Sequence, residues 1–247
     1  MSGTIYKVGA GAILQQIRLE AYANNLANIN TNGYKADLPV FRFETPVVTS
    51  ETNNNTMRLS PYALPLEYVT NFEAGPLRET SGPMDVAIVG NGFFEVQTPQ
   101  GVLYTRNGNL SINENGVLST AQGWPVMGQG GEITIHSGRI DINEDGQVLV
   151  DGAVVGVLKV VDFGDPSKLR KAGNSLFKAE IPDAGLREGQ NYRIAQGALE
   201  MSNVDAIRTM TDIIEATRVF ETYQKVIRSA DEATAKTVNE VGLPTRG

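Results

Sequence analysis

Two apolar stripes of helical period, one near each end of the chain, enclose a middle that reads as strand and turn. Ile5, Val8, Ala12, Gln15, Leu19, Tyr22, Leu26 and Ile29 recur in alternating steps of three and four, with one polar member. Toward the other end Met210, Ile213, Ala216, Phe220, Tyr223, Ile227 and Ala230 repeat the pattern. A 3–4 alternation held for about four heptads is the narrow seam of a coiled coil, not the broader stripe of an ordinary globular helix. One such helix at each terminus predicts that the two pair as a coiled coil and also meet something outside the chain.

The division that follows is α+β: paired terminal helices and a central all-β antiparallel domain. Residues 1–32 form the first helix, which should stop at Asn30-Thr31-Asn32-Gly33, where Asn32-Gly33 supplies a left-handed residue. Asn24, Asn25 and Asn28 fall inside this helical pattern although asparagine competes for backbone hydrogen bonds. Either they mark fraying, or their amides bond to neighbouring helices and fix register. Residues 33–73 read as an extended arm: Pro39, Pro46, Pro61 and Pro65 prevent helix, Val40-Phe41, Val47-Val48 and Tyr68-Val69 are short extended candidates, and Ser50 to Thr56 is a loop.

From residue 74 to 198 the signals are β. Phe93-Phe94-Glu95-Val96 follows a Gly90-Asn91-Gly92 turn, and Asn107-Gly108, Asn115-Gly116, Asp145-Gly146 and Asp151-Gly152 read as hairpin turns. Turns this closely spaced predict an antiparallel sandwich or barrel-like domain, with Val154 to Val161 as its longest and central strand. Residues 199–247 carry the second helix, started by Ser202-Asn203-Val204-Asp205 as a capping box.

Several function classes fall away. A net charge of -7, with 21 basic residues scattered through the chain, is the wrong sign for nucleic acid. With no cysteine, thiolate chemistry and disulfides are excluded. No apolar run approaches the roughly 18 residues that span a bilayer, so direct membrane insertion is not expected. Nor does a charged region with an apolar core open the chain, which predicts no cleaved secretory signal. Asp141-Ile142-Asn143-Glu144-Asp145-Gly146 imitates half a calcium loop, but the position for the bidentate Glu is Gly152. Gly9-Ala10-Gly11 lacks a third glycine, which is Leu14, and follows no strand. His136 is the single histidine, and no G-x-S-x-G elbow surrounds any serine, so it reads as a surface or turn residue. No catalytic residue, metal ligand or cofactor site is expected.

Three segments resemble a known family. Asn24-Asn25-Leu26-Ala27-Asn28 followed by Asn30-Thr31-Asn32-Gly33-Tyr34-Lys35 is similar to the N-terminal signature of flagellar rod and hook proteins. Met84 to Phe94, continuing to Tyr104-Thr105-Arg106-Asn107-Gly108, and Gln196 to Val204 resemble the same family, in the same order. Hook protein is normally much larger, and the small proximal rod subunits lack a central β domain, so the resemblance is to the basal-body rod proteins that carry one.

The resemblance implies a structural subunit of a hollow, helical axial structure in the bacterial periplasm, transmitting torque. Its terminal helices form an inner coiled-coil layer around a secretion channel, with the β domain outside. Partners are further copies of itself, the other proximal and distal rod proteins, and the flagellar type III export apparatus. Leu19, Leu26, Ile29, Ile213, Phe220 and Ile227 are then expected to carry helix packing. Asn24, Asn25, Asn28 and Asn32 set register, and Gly33 with Tyr34 makes the exit turn. The competing readings are a β-domain binding module whose helices close into a discrete oligomer, and an enzyme on a β scaffold, for which no constellation exists.

Overall fold

Neither glycine nor proline interrupts residues 206–241, and the stretch carries five Ala, four Glu and three Arg, all good helix formers. It forms one helix, α2 (Ala206–Val241), which at 1.5 Å per residue extends about 54 Å. Its threonines are poor helix formers, but Thr211, Thr217, Thr222 and Thr234 each donate back to the carbonyl four residues earlier. The helix at the other terminus, α1 (Ser2–Ala27), ends where the asparagine-rich turn begins. A computed structural model describes the backbone of residues 2–41, 66–180 and 185–241, and the side chains of 8–40, 68–180 and 185–236. The Ser50–Thr56 loop, Val47-Val48 and the side chain of Ile5 lie outside the described residues. No helix among the described residues is long and apolar enough to cross a membrane.

The chain separates into two units. One comprises Met1–Leu26, Asp37–Val69 and Ala206–Gly247; the other comprises Ala27–Ala36 and Thr70–Asp205. In the first unit α1 and α2 meet in antiparallel sense: Gly11 faces Tyr223, while Tyr22 lies beside Asp212. The short strands Asp37–Phe41 and Leu66–Thr70 pair as a two-stranded sheet.

The second unit is antiparallel β. Its largest sheet has six strands in the order Leu169–Gly173, Leu176–Ala179, Gly101–Thr105, Phe93–Thr98, Val160–Phe163 and Leu186–Glu188. The Phe93-Phe94 run serves both faces, because successive side chains point oppositely. Phe94 and Val96 join a core with Ile88, Leu118, Val126, Val148, Leu158 and Ile194, whereas Phe93 joins Tyr104, Phe163 and Phe177. In that second cluster the rings meet edge to face, with Phe93 5.8 Å from Phe177 and Tyr104 4.8 Å from Phe163.

The hairpins at Asn115-Gly116, Asp145-Gly146 and Asp151-Gly152 are present, with Gly116, Gly146, Asp151 and Gly152 all at positive φ. Asp145-Gly146 closes the calcium-like segment, where Asn143 Oδ1 accepts the Gln147 N–H at 2.8 Å.

Two strand readings need correction. Val154 to Val161 is not one central strand: Ala153–Val157 sits at the edge of a three-stranded sheet, with Val154 56% exposed, and Val160–Phe163 belongs to the six-stranded sheet. An apolar run resembles a core strand even when the chain changes sheets inside it. Asn107-Gly108 is not a hairpin either. It links Gly101–Thr105 to Leu110–Ile112, which pair with different strands, and a Cβ on Gly108 would strike the Val86 carbonyl.

Candidate assembly site

On α2 the sheltered positions are Thr209, Ile213, Ala216, Phe220, Tyr223, Ile227 and Ala230, a 3–4 alternation down one side. Met210 is half exposed, and its place at the head of the stripe is taken by Thr209, one residue earlier. On α1 the sheltered line is Val8, Ala12, Gln15, Leu19, Tyr22 and Leu26. Ile29 falls past the end of α1, in the turn, and so does not belong to the helical stripe. Small residues allow the close approach: a Cβ on Gly11 would come within 2.6 Å of the Tyr223 ring, and Ala12 and Ala216 are buried. Beside this contact lies a cavity of about 90 Å³ lined by Gln15, Arg18, Tyr22, Asp212 and Glu215. Burial, then the Asp212 carboxylate, push the Tyr22 phenol above its usual pKa.

Away from the sheltered line, apolar side chains stand in the open. Ile207 is 80% exposed, and Met210 and Ile214 follow it at steps of three and four. Ile13 on α1 is likewise exposed.

The asparagines divide. Asn25 is 3% exposed; its Nδ2 donates to the Asp37 carbonyl at 2.8 Å and its Oδ1 accepts the Asp37 N–H at 2.9 Å. It thus fastens the start of the arm to α1. Asn24 is exposed, and Asn28, in the turn, accepts the Thr31 hydroxyl at 3.2 Å. The Asn32 carbonyl accepts the Ser175 hydroxyl at 3.3 Å. Gly33 has φ +66, donates its N–H to the Glu200 carbonyl at 2.7 Å, and sits so close to Asn107 that a Cβ would strike its backbone nitrogen. Tyr34 is buried, with the Lys171 ammonium 4.0 Å over its ring.

Next to these residues lies a group that sequence reasoning did not single out. Lys35, fully buried, gives its ammonium to Glu200 Oε1 at 2.6 Å and to the Glu73 carbonyl at 2.7 Å. Glu200 also accepts the Gly75 N–H at 3.0 Å and, through Oε2, the Arg106 guanidinium at 3.3 Å. Arg106 reaches on to the Ile88 and Gly90 carbonyls and stacks 5.3 Å from the Phe93 ring. Asn203 completes the ring of contacts, accepting the Ala36 N–H at 2.8 Å and donating to the Asn71 and Glu73 carbonyls. Desolvation lowers the pKa of Lys35, opposed by the Glu200 charge, and the same balance acts on Arg106.

Lys35, Arg106 and Glu200 come one each from the three segments that carry the family resemblance, which therefore meet in space. The second helix begins after Asp205, and the Ser202 hydroxyl accepts the Val204 N–H at 3.3 Å in the turn that leads into it.

Comparison with known proteins follows the same three segments. Residues 7–35 match the family described as Flagella basal body rod protein. Residues 87–150 match the Flagellar hook protein FlgE/F/G D1 domain, and 195–240 the Flagellar basal body rod FlgEFG protein C-terminal family. The flagellar basal-body rod protein FlgF of Salmonella typhimurium is 37% identical across 94% of this chain and 95% of its own. FlgG, the flagellar basal-body rod protein of Agrobacterium fabrum, is 33% identical across 90% and 93%. The flagellar hook-basal body complex protein FlhO of Bacillus subtilis is 32% identical across 96% and 98%. With family segments at both ends and the middle, and relatives matched nearly end to end, the chain belongs to the flagellar basal-body rod protein family.

Proposed function

We propose that this chain is a FlgF-type structural subunit of the flagellar basal-body rod, polymerising through α1 and α2 into a hollow periplasmic shaft that transmits torque. The observation that carries the reading is the pair of terminal helices, which shelter one apolar line and leave a second one, Ile207, Met210 and Ile214, in water. A surface helix gains nothing from such a line unless a neighbour covers it; each large side chain fully buried there contributes roughly 1.5–3 kcal/mol. Contacts between different patches of identical subunits do not close on themselves, and so build a helix. The sheltered 3–4 lines act as the two halves of a coiled-coil seam within each subunit. Further copies and the other rod proteins are the partners, and the chain reaches them through the flagellar type III export apparatus without a cleaved signal. Identities run from 29% to 37% among the FlgF relatives and from 32% to 33% among the FlgG relatives; the 37% match supports the FlgF type, with a FlgG-type distal rod subunit as the second reading.

Leu26 tests the seam. Leu26→Asp places a charge on the sheltered line of α1 and is expected to abolish rod assembly and swimming, while the purified chain keeps its β signature by circular dichroism. Normal swimming of a Leu26→Asp strain would overturn the seam assignment.

A further inference from the structure

The buried charges at Lys35, Arg106 and Glu200 are not used by helix packing and are poorly explained as stabilisers. Two cations and one carboxylate share a dry site, and well-packed apolar residues in place of such a group are often as stable or more so. What hydrogen-bonded charges add is a single allowed arrangement, because a slipped contact leaves a buried ion unpaired. Here the arrangement joins three parts of the second unit. Residues 33–36 follow α1, residues 200–205 precede α2, and Arg106 grips the strand Val86–Gly90. Backbone contacts close the same junction: Gly33 N–H to the Glu200 carbonyl, and Asn203 N–H to the Tyr34 carbonyl at 3.4 Å.

We propose that Lys35, Arg106 and Glu200 are positioning residues that clamp the segment after α1 and the segment before α2 to each other and to the β strands, so that the junction holds under load in the assembled rod. A load that reaches these two segments is then shared with the β strands through charge-assisted bonds that do not slide. This rests on the helices being the assembly elements. Glu200 is the centre, since its loss leaves two like charges facing each other. Lys35 is secondary, since its loss leaves Arg106 and Glu200 as a neutral pair.

The test compares full-length wild type, Glu200→Gln, Lys35→Met and the double variant by hydrogen exchange and mass spectrometry, and in cells lacking their own copy. Glu200→Gln is expected to speed exchange in residues 30–36 and 200–204 at least tenfold, about 1.4 kcal/mol of opening, while residues 93–105 stay protected. Lys35→Met is expected to have a smaller effect, and adding it to Glu200→Gln to recover part of the protection by removing one unpaired cation. A role in packing alone predicts the opposite, namely that the double variant is worse than either. In cells, Glu200→Gln rods are expected to assemble but to lose swimming in viscous medium first. Unchanged exchange in Glu200→Gln, or a loosened junction with wild-type swimming under load, would overturn the proposal. If Glu200→Gln does not fold, Lys35→Met decides by the same two readouts. Failure of the wild-type chain to support swimming would instead overturn the assembly reading, with the exchange result still reporting on the clamp.

Discussion

Lysine without exposure is rare enough to require an account, and Lys35 shows how a charge is kept in a dry place. Desolvation lowers its pKa, so the folded chain gives up this proton at a lower pH than the unfolded chain does. Between that lowered value and the ordinary lysine value of about 10.4, the unfolded state binds the extra proton, and stability therefore rises with pH across the window. Below the folded pKa the unfavourable contribution is constant. Tyr104 and Tyr192 are shifted upward by burial and act oppositely above about 10. Their contribution cancels in a difference between variants. Urea unfolding of wild type and Lys35→Met should give a stability difference that moves in favour of wild type as pH rises toward about 10.4. A difference independent of pH would mean that Lys35 is not titrating in its buried site. Loss of the anion is the harsher change: Glu200→Gln is expected to cost about 3–5 kcal/mol, the range for breaking a buried pair.

Elements were more legible than the site. The period of three and four located both helices, and most Asn-Gly and Asp-Gly pairs located hairpins, because those signals are local. Val154 to Val161 misled because periodicity says nothing about a change of sheet, and Asn107-Gly108 misled because its glycine serves a close approach to Val86 rather than a turn. The clamp was invisible for a different reason. A lysine, an arginine and a glutamate in sequence look like surface charge, and only the tertiary fold brings Lys35 to Glu200 across 165 positions. Their membership in the three family-like segments was the available signal, although those segments pointed to a family and not to a contact. The two glycines of Gly9-Ala10-Gly11 offer an element-scale test. Gly9 has open space around its Cβ position, so Gly9→Ala should stabilise α1 by about 0.5–1 kcal/mol. Gly11→Ala meets the Tyr223 ring at 2.6 Å and should lose that gain or reverse it. Thermal melts followed at the helical circular dichroism band would separate the two, and equal effects would deny the Gly11–Tyr223 contact.

At the scale of the whole molecule, the two units differ in what they need. The β unit has two buried apolar clusters and exposes its remaining apolar residues mainly on short or edge strands, such as Leu77, Val154 and Leu186, whereas the helical unit exposes a line, Ile207, Met210 and Ile214, down one helix. Pulse-labelling hydrogen exchange during refolding is expected to protect the hairpin strands Phe93–Thr98 and Gly101–Thr105 before residues 33–36, whose partners are remote in sequence. Simultaneous protection would show that the junction forms with the core and not after it.

The bond between Lys35 and Glu200 has a consequence in time as well as in space. A folding chain cannot make it until residues 35 and 200 have come together, because each charge lacks its counterpart until then. A molecule broken before Glu200 keeps that junction open. Closure of this one bond therefore reports that the chain is intact from residue 35 to residue 200, at the place where the segment after α1 meets the segment before α2.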